Sequence, residues 1–140
     1  MESAPVRRRT MQAVKSENTR PEMTVRRLVH RMGYRFRLYG KDLPGKPDLV
    51  FPRLHKVVLV HGCFWHGHDC GRGARVPVHN RDYWTRKVAR NRERDKAVLA
   101  LLKSHGWDVL VIWECDLKKS HALRRRVKRF LGDRRTEHPG

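Results

Sequence analysis

The three cysteines of the chain are placed where they could bind one metal ion together with a histidine. Cys63, His68 and Cys70 fall within eight residues, and Cys115 follows the apolar segment 109–113. Three thiolates and one imidazole are a normal tetrahedral zinc set, and four protein ligands make a closed site. The alternative is three buried, reduced cysteines beside an unrelated histidine, but a Cys-His-Cys cluster beside glycines is hard to bury without a metal. We therefore predict a structural Zn²⁺ that holds this loop against a strand end and does no hydrolysis.

Two further histidines, His61 and His66, flank Cys63 and are not needed for the zinc. Imidazole changes charge near neutral pH, which makes both residues candidates for acid–base catalysis. Asp48 follows Pro47 at the start of an apolar segment, where a carboxylate can hold a metal at the edge of a sheet. Phosphodiester hydrolysis needs a cation to neutralise developing charge and a group that moves protons. Asp48 with His66 supplies both, although Asp48 taken alone also fits the ordinary start of a strand.

Helical periodicity directs two more carboxylates toward the interior. Glu22 continues the apolar stripe of its helix, and Asp95 shares a stripe with Asn91 on a longer helix. Buried carboxylates are costly unless they are paired or metal-bound, so these groups, Asp48 and the histidines predict one polar site. Taken singly, a capping box with Thr19 explains Glu22 better, and pairing with an arginine explains Asp95 equally well. The two stripes are residues 22, 25, 29 and 32, and residues 84, 88, 91, 95, 98 and 102.

The charge of the chain points to nucleic acid as its partner. Its 140 residues include 33 Lys and Arg against 14 Asp and Glu, a net charge of +19. Such an excess repels itself unless a polyanion screens it, and nucleic acid is the usual one. An anionic membrane surface or an acidic protein is the alternative. No apolar run approaches the roughly 18 residues of a membrane helix, and no apolar core follows the basic N-terminus. These features predict a cytoplasmic, nucleoid-associated protein.

Hydrophobic periodicity predicts the elements that position these groups. Residues 56–60 and 109–113 are apolar on both faces, which indicates central strands that are covered on both sides. Residues 34–39 alternate apolar and basic side chains, as in a strand with one wet face. The predicted helices run from the Thr19 cap to Gly33, from the Asn80 cap to about Ser104 and over roughly 119–131, and the predicted strands cover 34–39, 48–51, 56–60 and 109–113.

The length of the chain fits one domain and leaves no room for a second core. Residues 1–17 are polar and basic, and we interpret them as a flexible arm that orders on DNA. Residues 18–131 form the folded domain, and 132–140 form a frayed tail. Strands that alternate with helices predict an α/β fold in which helices flank a mixed central sheet.

Four motifs, in the same order along the chain, resemble one family. LPGKPDLVF (43–51), VHGCFWHGHDC (60–70), YWTRKVARNRERD (83–95) and VLVIWEC (109–115) resemble the very-short-patch repair, or Vsr-type, DNA mismatch endonucleases. The likeness extends from about Met11 to Leu117, and HGCFWH with its trailing H-x-C is the most specific part.

This resemblance implies a restriction-endonuclease-like fold for the 18–131 nuclease domain and Mg²⁺-dependent hydrolysis of double-stranded DNA. The enzyme would nick one strand on the 5′ side of the thymine in a T:G mismatch, which arises when 5-methylcytosine deaminates. Repair of a very short patch would follow, with other repair proteins as partners. A monomer is expected, because one asymmetric nick needs one site.

The resemblance also assigns roles within the polar site. Asp48 matches the Mg²⁺ ligand, and His66 matches the histidine that handles the proton. Glu22 matches a carboxylate that orders the site, His61 matches a second histidine, and Asp95 steadies one imidazole. The matches to the zinc ligands of the family are Cys63, His68, Cys70 and Cys115.

Aromatic residues are implied to read the mismatch. Phe64, Trp65 and Trp84 match residues that enter the duplex beside the mismatch, and Met11 matches a residue that wedges in from the minor groove. A mismatched step is cheaper to unstack than a paired one, so apolar wedges can sense the difference. The alternative is that these aromatic residues belong to an ordinary hydrophobic core. The loop of Phe64 and Trp65 is too polar for a core position, but a core position explains Trp84 equally well. The remaining predicted DNA contacts are Asn91 and Arg94.

The sequence departs from the broader nuclease pattern in one strand. That pattern has Asp followed by Glu-x-Lys on the next strand, whereas residues 57–60 read VVLV. Histidines must then replace the lysine in activating water. Val60 also stands where a relative has threonine, which is tolerable if only its backbone touches metal or water.

Two alternatives stay open at this point. One is a nuclease of the same family that acts on another mismatch or as a restriction enzyme. The other is a zinc-stabilised DNA-binding module without catalysis, against which the inward Glu22 and Asp48 argue.

Overall fold

The structure, a computed structural model, describes residues 19–63, 66, 68, 70 and 79–132. The predicted N-terminal arm therefore lies outside the described residues, as does the predicted C-terminal tail apart from Gly132. The helices and strands of the described residues are α1 (Arg20–Arg31), β1 (Arg37–Leu38), β2 (Leu49–Phe51), β3 (Lys56–His61), α2 (Arg81–Ser104), β4 (Asp108–Trp113) and α3 (Ser120–Leu131). Short 3-10 helices cover Pro52–Leu54 and Glu114–Lys118.

The strands form one mixed sheet in the order β1-β2-β3-β4. β1 and β2 are antiparallel, as are β2 and β3, whereas β3 and β4 run parallel and are connected through α2. His61 is paired with Trp113 in this parallel register, so the carboxyl ends of β3 and β4 meet at the same edge of the sheet.

Helices cover both faces of the sheet, which confirms the predicted layering. Val58 of β3 packs in a core with Val25 of α1 and Val127 of α3. Val57 packs on the opposite face with Leu102 of α2. Alternate side chains of a strand point to opposite faces, so an apolar run such as residues 57–60 requires cover on both sides. Each fully buried Val or Leu contributes about 1.5–3 kcal/mol relative to an exposed one.

The first predicted strand is shorter than its alternating pattern indicates. Only Arg37 and Leu38 pair with β2, and both are exposed. Tyr34 is buried and donates its hydroxyl to the carbonyl of Gly132, so the start of the segment packs on the core rather than along the sheet. Tyr39 has a φ of 51°, and this left-handed conformation ends the extended chain.

The two predicted helix caps differ in outcome. Thr19 caps α1, because its hydroxyl accepts the N–H of Glu22 at 3.4 Å. Asn80 directly precedes the first residue of α2, as predicted, but its side chain makes no capping hydrogen bond. Asn80 has a left-handed φ of 58°, whereas a capping side chain needs extended backbone to reach the first helical N–H groups.

Among the described residues, no helix is both long and apolar enough to span a membrane.

Candidate active site and metal centre

Asp48 lies at the edge of the sheet where β3 ends. Its Oδ2 accepts a hydrogen bond of 2.6 Å from the backbone N–H of Val60. The antiparallel pairing of β2 with β3 brings the start of β2 beside the end of β3, which is why the two residues meet. The hydrogen bond between Asp48 and position 60 is thus made by the backbone of Val60.

A second carboxyl group faces Asp48 from α1. Glu22 is buried, with 7% of its surface exposed, and it forms a side-chain hydrogen bond with Asp48. Burial is the main cause that raises the pKa of Asp48 from 3.8 to about 7, and the adjacent Glu22 raises it further. The hydrogen bond from the Val60 N–H lowers this pKa but does not offset the burial. Two buried carboxyl groups in contact favour a shared proton or a bound cation, because both cannot be ionised at low cost.

Glu22 is itself held by a residue of the β1–β2 loop and by a residue of its own helix. The hydroxyl of Tyr39 donates to Glu22 Oε2 at 2.9 Å, and Nη2 of Arg26 contacts the same oxygen at 3.3 Å. Glu22 thus points inward, as the apolar stripe on α1 predicts. Its backbone N–H donates to the hydroxyl of Thr19, which is one of the two hydrogen bonds of a capping box.

Two stacked imidazoles extend from the same sheet edge. The ring of His61, the last residue of β3, lies parallel to the ring of His66 with centroids 3.8 Å apart. His66 Nδ1 is 2.6 Å from Oδ2 of Asp95, which α2 supplies. A carboxylate only accepts hydrogen bonds, so the imidazole donates from Nδ1 and its Nε2 becomes the proton acceptor.

The environment of His61 keeps its imidazole neutral. Burial is the main cause that lowers the pKa of His61 from 6.5 to about 4, and the charge of His66 lowers it too. The charge of Asp95 raises this pKa, but by less. Within the described part of the chain, Nδ1 of His61 is buried and has no hydrogen-bond partner. Of the two rings, His66 is the one whose Nδ1 contacts a carboxylate, which leaves its Nε2 as the acceptor.

A separate cluster beside these histidines could hold a metal ion. One potential ligand atom from each residue of the cluster lies within 4.8 Å of the others. Burial raises the pKa of the Cys63 thiol to about 12, which is the behaviour of a thiol in an apolar site without a cation. Soft thiolates with one imidazole match the donor set that zinc prefers. The members of the cluster are Cys63, His68, Cys70 and Cys115.

Trp113 joins the two clusters, and sequence reasoning missed this. Its indole stacks on His68 with centroids 4.0 Å apart and an interplanar angle of 10°. The same indole meets the ring of His61 edge-on at 5.1 Å. In the sequence, Trp113 reads as one more apolar residue of a buried strand; its position two residues before Cys115 is the only signal of a further role.

The predicted DNA-contacting residues are placed only in part. Met11, Phe64 and Trp65 lie outside the described residues. Trp84 is half-buried in the first turn of α2, with its ring 5.0 Å from that of Tyr83. Asn91 and Arg94 follow on α2, half-buried and exposed respectively. The exposed cationic residues on the middle of α2 are Arg86, Arg90, Arg92, Arg94 and Lys96.

Comparison with known proteins identifies relatives over most of the chain. A sequence profile of DNA mismatch endonuclease Vsr matches residues 3–72. The chain is 52% identical over 129 residues to the type II nicking enzyme V.XorIIP of Xanthomonas oryzae, covering 91% of this chain and 94% of that protein. It is 40% identical to the type II nicking enzyme V.NmeAIP of Neisseria meningitidis, covering 86% of each chain.

A third relative carries the family name itself. The chain is 37% identical to the DNA mismatch endonuclease Vsr of Escherichia coli, over 84% of this chain and 74% of that protein. These matches include the polar site and the cysteine cluster at levels of identity that show common descent. The protein is a DNA endonuclease, and it belongs to the Vsr family of DNA mismatch endonucleases.

Proposed function

We propose that the protein nicks one strand of duplex DNA on the 5′ side of the thymine in a T:G mismatch, and so starts very-short-patch repair of deaminated 5-methylcytosine. One observation carries the chemistry. The Asp48–Glu22 pair and the His66–Asp95 pair converge at the end of β3, where Asp48 contacts Val60 and His61 is the next residue. A mixed sheet covered by helices on both faces supports a restriction-endonuclease-like fold.

The Asp48–Glu22 pair suits Mg²⁺. Magnesium prefers hard oxygen ligands and is usually held by one or two carboxylates together with phosphate oxygens. Asp48 is the proposed ligand, and Glu22 orders it. When bound, the cation neutralises charge on the phosphate and makes water more acidic.

His66 moves the proton in this mechanism. Its Nε2 accepts a proton from the water that attacks phosphorus, and Asp95 stabilises the resulting imidazolium through Nδ1–H. The bond from phosphorus to the 3′ oxygen breaks and this oxygen takes a proton from solvent, which leaves a 5′-phosphate and a 3′-hydroxyl. His61, buried and neutral, provides the surface on which the His66 ring is stacked.

Zinc is the proposed occupant of the cysteine cluster. Four protein ligands leave no open coordination position, so this ion holds the loop after β3 against the end of β4 and takes no part in hydrolysis.

DNA recognition is proposed to combine charge with unstacking. The exposed cationic residues of α2 bind backbone phosphates, which makes affinity fall steeply with salt concentration. Trp84, with Phe64, Trp65 and Met11, is proposed to enter the duplex at the mismatch. Asn91 and Arg94 are proposed to contact bases or phosphate. The protein acts as a nucleoid-associated monomer before other repair proteins follow.

A mutational test separates catalysis from binding. Asp48→Asn and His66→Ala are each expected to lower kcat for nicking a T:G duplex by about 10²-fold or more, because one loses the cation ligand and the other the base. Binding of the duplex in a gel-shift assay should persist. His30→Ala, an exposed histidine on α1, is the control and should nick normally. Wild-type rates in the Asp48 or His66 variant would exclude these assignments.

A substrate panel tests the specificity. The relatives named type II nicking enzymes favour one alternative, a nuclease of this family that acts on another mismatch or as a restriction enzyme. End-labelled duplexes with T:G, each other mismatch and matched pairs, in varied flanking sequence with Mg²⁺, report the strand and position of the nick. Equal nicking of matched and T:G duplexes would contradict the proposed mismatch specificity. Binding without nicking of any duplex would indicate a non-catalytic module.

A further inference from the structure

Tyr39 contacts both of the carboxylate-bearing residues of the acidic pair. Its backbone N–H donates to the carbonyl of Asp48 at 3.2 Å, because the two residues close the loop between β1 and β2. Its side-chain hydroxyl donates to Oε2 of Glu22 at 2.9 Å. Tyr39 thus connects the strand that supplies Asp48 with the helix that supplies Glu22.

The backbone of Tyr39 is held in a conformation that side chains rarely adopt. Its φ is 51°, and that of Lys46 on the other side of the same loop is 47°. Left-handed backbone at a bulky residue persists only where surrounding contacts require it, and such residues concentrate at functional sites. Here the conformation directs the Tyr39 ring back toward α1 and Glu22.

Two cations fix the Tyr39 ring in place. The guanidinium of Arg26 lies 5.2 Å from its centroid, and the ammonium of Lys46 lies 5.4 Å from it. Arg26 also donates to the Tyr39 hydroxyl and contacts Oε2 of Glu22, so the three side chains form a closed set of contacts around one carboxylate oxygen. The side chains of Arg26 and Glu22 are 12% and 9% exposed, which limits competition from water.

We propose that Tyr39 is a positioning residue that, with Arg26, fixes the orientation of Glu22 and so preforms the acidic pair for a divalent cation. The proposal rests on the assignment of Asp48 and Glu22 as the cation site of the proposed function. Because Oε2 of Glu22 is already hydrogen-bonded, this carboxylate loses little rotational freedom when a cation binds. Partners of this kind, one step removed from the metal, are known to change metal affinity by 10- to 100-fold.

The test deletes one oxygen atom. Tyr39→Phe keeps the ring between Arg26 and Lys46 but removes the bond to Glu22. Titration calorimetry of the zinc-loaded protein with Mn²⁺ should show affinity weakened by about 10-fold. In nicking assays the Mg²⁺ concentration for half-maximal rate should rise by a similar factor, while kcat at saturating Mg²⁺ returns to the wild-type value.

The matched control is Tyr34→Phe. It also loses a tyrosine hydroxyl bond, but that bond is to the carbonyl of Gly132 and not to Glu22. This variant is expected to lose stability and to keep the wild-type affinity for Mn²⁺. Wild-type Mn²⁺ affinity in Tyr39→Phe, or a loss of kcat that Mg²⁺ does not restore, would overturn the role of Tyr39.

Asp48→Asn distinguishes the two ways in which the idea can fail. If Asp48→Asn weakens Mn²⁺ binding and Tyr39→Phe does not, only the positioning role is wrong. If neither variant weakens binding, the cation site of the proposed function is wrong, and the role of Tyr39 is wrong with it. If both weaken binding but the wild-type protein nicks no duplex, the positioning role stands and the proposed function does not.

Discussion

At the residue scale, neighbouring groups of the same type are given different properties by their surroundings. His61 and His66 are stacked, yet burial lowers the pKa of His61, whereas Nδ1 of His66 contacts the carboxylate of Asp95. Asp48 and Glu22 are adjacent, yet Arg26 and Tyr39 contact Oε2 of Glu22, whereas Asp48 accepts the backbone N–H of Val60. Acid–base catalysis uses such pairs, because each role needs its own protonation state.

Folding stability should depend on pH through two opposing residues. The pKa of Asp48 is raised from 3.8 to about 7 in the folded protein, so its contribution to stability is present at low pH and is lost between those values. The pKa of His61 is lowered from 6.5 to about 4, so its contribution is present above 6.5 and is lost as pH falls to 4. Over the range that they share, the two effects oppose each other.

Asp48→Asn removes one of these effects. We expect the free energy of unfolding of the variant, relative to wild type, to increase as pH rises from 4 to 7, since the wild type must ionise a buried carboxyl there. Urea denaturation at pH 5, 6, 7 and 8 without added Mg²⁺ measures the difference. Parallel pH profiles for the two proteins would contradict the raised pKa.

Sequence reasoning reaches the residues whose chemistry is unusual for their position. Asp48, His61 and the cysteines stand out because polar, ligating side chains lie beside or at the ends of apolar strands. Tyr39 does not, because its role depends on a left-handed backbone and on the loop partner across from it. Trp113 does not either, since indole is an ordinary residue for a buried strand, and only the spatial register places it between two sites.

At the element scale, the loop between β1 and β2 is fixed against α2. Gly45 has a φ of 72°, and a Cβ at this position would lie 2.4 Å from Cγ1 of Val98. Leu43 packs in the core with the same Val98. The loop that ends at Asp48 is therefore seated on the helix that supplies Asp95, which couples the two halves of the site.

Gly45→Ala is expected to be destabilising by about 2 kcal/mol or more, from left-handed strain together with overpacking against Val98. Gly106→Ala is the matched control: its φ is 84°, but nothing lies within 4 Å of an added Cβ. It should show the strain alone. Urea denaturation of both variants measures the difference, and equal losses would mean that the contact with Val98 is unimportant.

Periodicity predicts the elements better than their ends. The long helix and the two buried strands follow from sustained patterns, and the structure contains them. The ends depend on single backbone conformations, and for this reason the capping role of Asn80 and the length of the first strand were not predictable.

At the scale of the whole molecule, both clusters lie at one end of the sheet. The parallel pairing of β3 with β4 brings His61 to Trp113, and Cys63 and Cys115 follow two residues later on each chain segment. The net charge of +19 gives the whole molecule a field that attracts DNA regardless of its sequence. Binding and catalysis should therefore respond differently to loss of the metal centre.

His68→Ala is expected to lose bound zinc, to lower the melting temperature and to reduce nicking, while salt-dependent binding to matched DNA persists through the cationic residues. His105→Ala, an exposed histidine after α2, is the control and should keep its zinc. Metal analysis, thermal denaturation and gel shifts measure the three effects. A zinc-free His68 variant with full nicking activity would show that the metal does not support the site.

The indole of Trp113 has a consequence for how the enzyme matures. It stacks on His68 and contacts the ring of His61, so a metal ion that fixes His68 would also fix the indole against which His61 packs. We expect a newly synthesised chain to bind the chromosome without cutting it until it captures its metal. A cationic protein that binds DNA indiscriminately would then acquire the ability to cut it only after assembly is complete.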